Sequence, residues 1–127
     1  MRYIPIVLLC LTRSVVAGEL PHACSPQLDR HEYLVCVDAE AQRLDKALTQ
    51  DLSRALKRID ERADMTPEHR DRVKQSLRSA QRQWIAFRKS ECNAVMDAVN
   101  GTGRTIEYLE CVIDYAKSRR DHLARYW

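Results

Sequence analysis

A chain of 127 residues, 45% hydrophobic and 31% charged, has the balance of one globular domain that can bury a modest core. With only three glycines and four prolines among long runs of Ala, Leu, Arg, Glu, Asp and Gln, it favours an all-α fold over any sheet. Its formal net charge of +3 falls to +1 once Arg2 and Arg13 are set aside, which removes the global electrostatic case for nucleic acid or an anionic membrane.

The first element is MRYIPIVLLCLTRSVVA. Arg2 precedes an apolar run over residues 4–11, and Val15-Val16-Ala17 offers small or tolerated residues at the −3 and −1 positions of a cleavage site. Residues 1–17 are therefore expected to be a secretory signal peptide and residues 18–127 the mature domain, periplasmic or secreted. The run falls well short of the roughly 20 apolar residues that a spanning helix needs, so no stable membrane insertion is expected. Cys10 follows Leu8-Leu9, where a lipid-attachment site would want a small residue.

Without the leader, the five cysteines become Cys24, Cys36, Cys92 and Cys111. An even number in an exported chain points to two disulfides. A zinc site built on His22, Cys24, His31 and Cys36 is the competing reading, but no Cys-x-x-Cys pair or other usual ligand spacing supports it, and no metal or cofactor is expected.

After a loop around residues 21–26, Leu34, Val37, Ala41, Leu44, Leu48, Leu52, Ala55 and Ile59 form one narrow stripe on a long helix that should end near Ala63. Thr66-Pro67-Glu68 supplies an N-cap, a first-turn proline and an early acid, so a second helix should start near residue 67. Its stripe runs through Val73, Leu77, Ala80, Trp84, Phe87, Val95 and Ala98, and Asn100-Gly101-Thr102-Gly103 should end it. A third helix from about Thr105 carries two stripes: Ile106, Leu109, Ile113, Ala116, Leu123 and Trp127 on one side, and Tyr108, Val112 and Tyr115 on another. Two stripes are what a helix touching both others requires. The expected architecture is a small three-helix antiparallel bundle stapled by two disulfides. If the second and third helices fold back about the Gly101–Gly103 turn, Cys92 faces Cys111, which leaves Cys24 to pair with Cys36.

The densest stretch is QRQWIAFRKSEC, residues 81–92. Trp84 falls at the centre of the buried stripe, Phe87 on its shoulder and Cys92 on the edge toward the hairpin partner. Arg88 and Glu91 project within about 40° of Trp84 at the i, i+3 spacing that permits pairing. Two charges on a core-facing stripe form either an internal network or the edge of a site. In the first reading Arg88 reaches Glu91, the third helix or its backbone carbonyls.

An enzyme would need a convergent cluster. His22, His31, His69 and His122 are scattered, no Gly-x-Ser-x-Gly motif occurs, and the cysteines are expected to be oxidised. No catalytic residue is assigned.

LRSAQRQWIAFRKSEC, a short glycine-containing turn and then ECVIDYAKSRRDHLA together resemble the LprI-like lysozyme-inhibitor family of small exported domains. The resemblance rests on Gln81, Trp84, Phe87, Arg88, Cys92, Cys111, Arg119 and Leu123, with Cys24 and Cys36 as a matching upstream pair. Lys89 stands where the family usually has an acid, Tyr115-Ala116 where it has Leu-Thr, and Leu44-Asp45 with Leu48 where it has Leu-Asn and Tyr. These motif residues read as a fold signature rather than an inhibitory site. The resemblance implies a protein partner, a lysozyme-type muramidase; an immunity protein against a delivered envelope toxin, or an envelope-stress module, are the alternatives. Residues 18–63 carry a net charge of −2 and residues 64–127 of +3. Lysozymes are commonly basic, so Asp38, Glu40, Asp45 and Asp51 are the candidate partner-binding acids.

Overall fold

The computed structural model describes residues 23–127, and the expected leader at residues 1–17, with Cys10 and His22, lies outside them. Three helices follow in order: α1 (Arg30–Asp60), α2 (Pro67–Ala98) and α3 (Arg104–Tyr126). No strand occurs among the described residues.

The start of α1 is set by Asp29 and Glu32. The Asp29 carboxylate accepts from the backbone N–H groups of His31 at 2.9 Å and Glu32 at 3.0 Å, while the Glu32 side chain accepts from the Asp29 N–H at 3.3 Å. This capping box satisfies donors that have no partner within the helix. α1 ends at Asp60, three residues before the expected Ala63. The turn that follows is held from α2: the Arg70 guanidinium donates to the carbonyls of Arg62 at 2.9 Å and Met65 at 2.8 Å. α2 begins where expected, with the Thr66 hydroxyl accepting from the His69 N–H at 3.2 Å and Pro67 in the first turn. Its other end is closed by Arg104, which donates to the Met96 carbonyl at 3.2 Å and to Asp97 at 2.7 Å. Gly101 takes φ +88°, a conformation that L side chains rarely adopt.

Both disulfides form with the expected pairing. Cys24 pairs with Cys36 at a Cα–Cα distance of 5.9 Å, and Cys92 with Cys111 at 5.6 Å. Cys24 and Cys36 are thereby removed as metal thiolates.

α3 is the central element, packed on both α1 and α2, whereas α1 and α2 touch each other only lightly. The core falls into two clusters. Val37, Ala41, Leu44, Cys92, Leu109, Val112, Ile113 and Ala116 enclose one, toward the disulfides. Leu48, Ala55, Ile59, Leu77 and Leu123 enclose the other, with Trp84 and Trp127 against it. The α1 stripe is buried as expected, Leu34 and Leu52 only partly. The α2 stripe is corrected. Phe87 is 50% exposed, Val95 37% exposed, and Ala80 and Ala98 are exposed as well. A helix that leans almost entirely on one neighbour buries a narrower face, and here that face is Leu77, Gln81, Trp84, Arg88 and Cys92. Phe87 instead lies edge-on to Tyr115, with ring centroids 5.6 Å apart.

Candidate binding surface

Between the two apolar clusters lies a polar layer built from the motif of α2. Gln81, only 6% exposed, places its side-chain oxygen 3.0 Å from the Nε of Arg119 on α3 and accepts that N–H. Trp84, one turn on, has guanidinium groups near its ring from two helices: the Arg88 Cζ lies 4.8 Å and the Arg119 Cζ 5.9 Å from the ring centroid. Such stacking is worth about 0.5–2 kcal/mol according to how far the cation is desolvated. Arg88 then reaches across to α1, where it meets the Asp45 carboxylate at 2.6 and 3.3 Å. This corrects the expected partner. Arg88 ties α2 to the half-exposed Asp45 of α1 rather than to Glu91 or α3, and Glu91 is exposed. The light contact between α1 and α2 leaves room for a long side chain to bridge them.

α3 answers with adjacent arginines that diverge. Arg119 goes to α2, while Arg120 goes to α1, where its Nε donates to Asp51 at 2.5 Å. Arg54 also pairs with Asp51. The three helices are thus tied pairwise at mid-height: Asp45 with Arg88, Gln81 with Arg119, Asp51 with Arg120. Burial pushes the Arg119 guanidinium below its ordinary pKa, and its Nη2 is buried with no hydrogen-bond partner among the described residues. Leu123, one turn beyond, is fully buried beneath this layer.

The candidate acids do not form one patch. At about 100° per residue, Asp38 and Asp45 border one side of the α1 core stripe, and Glu40 and Asp51 border the other. Asp38 is exposed and accepts from Gln42 at 2.7 Å. Glu40 pairs with Arg43 at 2.7 Å. Asp45 and Asp51 hold α2 and α3. The sequence reading missed Arg120 and the structural roles of Asp45 and Asp51; all four acids flank the same narrow apolar stripe, so that position alone does not single out the two that meet arginines of the neighbouring helices.

A second concave feature lies between the first half of α2 and the end of α3. His69, Arg72, Val73, Leu77, Ala80, Arg119, His122 and Trp127 line an open groove of about 540 Å³. Among the described residues no group of three or more His, Cys, Asp or Glu side chains could hold a metal ion, and no helix is long and apolar enough to cross a membrane.

A model of the lysozyme inhibitor LprI family matches residues 23–123, from the N-terminal disulfide to Leu123. The chain belongs to the LprI family. No curated protein and no solved structure matches it. The LprI match spans all three helices and both disulfides, so the polar layer of Gln81, Trp84, Arg88 and Arg119 lies within the family domain. The name of the family is that of inhibitors, which supports a protein-binding role over an enzymatic one.

Proposed function

We propose that the mature domain is a stoichiometric inhibitor of a cell-wall lytic enzyme, a lysozyme-type muramidase, exported by the leader at residues 1–17 to the periplasm or beyond. The observation that carries this reading is the LprI match over residues 23–123. Two disulfides suit an oxidising compartment. They also give a small bundle the rigidity that lets a preformed surface bind without an ordering cost. Inhibition proceeds by occlusion of the enzyme's cleft, with no chemistry by this chain.

The acids of α1 speed encounter with a basic enzyme. Asp38 leads in this role, because Asp45 and Asp51 are already matched by arginines from the neighbouring helices and Glu40 by Arg43. The test is lytic activity of c-type, g-type and i-type lysozymes titrated with the purified, doubly bridged protein. Loss of activity that saturates at one equivalent is expected for at least one of them. If all three stay fully active at molar excess, the inhibitor reading fails for these enzymes, and immunity against an envelope toxin becomes the better account.

A further inference from the structure

The groove between α2 and α3 has a floor of Val73, Leu77, Ala80 and the Trp127 ring, and its ionisable lining consists of Arg72, Arg119, His69 and His122. No carboxylate lines it. Several arginines elsewhere in the bundle have an acid close by: Arg88 has Asp45, Arg120 has Asp51, Arg62 has Asp64 and Arg104 has Asp97. Arg72 has no ion pair among the described residues. Arg119 receives one neutral acceptor, Gln81, and keeps an Nη2 without a partner. A desolvated guanidinium without a counter-charge is costly, and an arriving carboxylate would offset that cost. A few cationic groups around an apolar floor form the pattern of a site that takes an apolar side chain and a neighbouring acid together.

We propose that this groove is a second interaction surface, which docks a protruding acidic segment of a partner protein: an apolar or aromatic side chain on the Val73–Leu77–Trp127 floor, and an adjacent carboxylate against Arg72 and Arg119. The α1 acids lie on a different helix and carry the opposite charge, so this surface goes beyond the inhibitor reading and stands or falls independently of it.

The test uses the whole mature protein and two probes, acetyl-Leu-Glu-Phe-Glu-amide and its neutral counterpart acetyl-Leu-Gln-Phe-Gln-amide, followed by amide-resolved NMR titration. Shifts confined to residues 69–80 and 119–127, with the acidic peptide favoured by about tenfold or more, are expected, since tenfold corresponds to the loss of one modest charge contact. The double variant Arg72→Glu with His122→Glu should lose that preference while melting within a degree or two of the parent, because both side chains sit on the groove wall and not in the core. Equal binding of the two peptides, shifts elsewhere, or an unchanged preference in the variant would each overturn the proposal. So would binding to phosphatidylglycerol vesicles with no response to the acidic peptide, which would make the groove a lipid site.

Discussion

Arg88 shows how a single side chain can serve packing and charge together. Its guanidinium lies over Trp84 while its N–H groups reach Asp45, and only 12% of the side chain remains exposed, against 48% for Asp45. Solvent around Asp45 screens the ion pair, so Arg88→Ala should cost about 1–2 kcal/mol, most of it from lost stacking and bridging. That corresponds to a fall in melting temperature of several degrees for a domain of this size. A double-mutant cycle with Asp45→Ala should return a coupling of about 0.5–1 kcal/mol; strict additivity would refute the bridge. Tyr33 offers a separate reading by pH. Its hydroxyl donates to Glu110 at 2.5 Å, and burial, followed by that bond and by the charges of Glu110 and Glu107, raises its pKa from 10.0 to about 12. A pKa raised in the folded state means that this contribution to stability is complete below pH 10 and is lost as pH climbs through about 12. Ultraviolet titration should show one tyrosine ionising late, and Tyr33→Phe should abolish that late step.

At the scale of elements, the C-terminal ends of α1 and α2 are held by side chains from the helix that follows. Arg70 from α2 closes the turn after α1, and Arg104 from α3 closes the end of α2. The turn between α2 and α3 depends on backbone conformation, and its two glycines differ. Gly101 sits at φ +88° with open space around the position of a Cβ, whereas Gly103 has φ −77° and its nearest neighbour, Val99 Cγ1, is 4.0 Å away. Gly101→Ala should therefore destabilise by about 1 kcal/mol through strain alone, while Gly103→Ala should be neutral or slightly stabilising. Chemical denaturation of the pair measures the contrast, and equal effects would show that the turn relaxes. The Cys92–Cys111 bridge, closing a 19-residue separation, keeps the hairpin together when this turn is weakened.

For the whole molecule, the division of charge sets the expected behaviour toward partners. If α1 steers a basic enzyme, Asp38→Asn should slow association and weaken inhibition without lowering the melting temperature, since Asp38 is exposed and holds no other helix. Asp45→Asn with Asp51→Asn should instead lower the melting temperature, since these acids hold α2 and α3. The slowing should resemble that produced in the parent by raising ionic strength until the Debye length falls below about 8 Å. Association kinetics across a salt series distinguish the outcomes, and a salt-independent rate would remove α1 from the encounter.

The sequence by itself determined the three helices, the Thr66-Pro67 start of α2, the α1 core stripe and both disulfide pairings. Each of these follows from local capping, from periodicity or from the antiparallel geometry of the α2–α3 hairpin, and none depends on how α1 packs against that hairpin. The Asp29–Glu32 capping box was equally local. What only the tertiary structure decided was the width of the α2 face, the partner of Arg88 and the duties of Asp45 and Asp51. α3 takes most of the contact with both neighbours, so α2 leans one way, Phe87 is left half outside, and long arginines span the gap to α1. A helical wheel reports the direction in which a side chain leaves its own axis. Whether it meets a core, a counter-ion or water depends on where the other two axes lie, and that is settled only when all three helices pack.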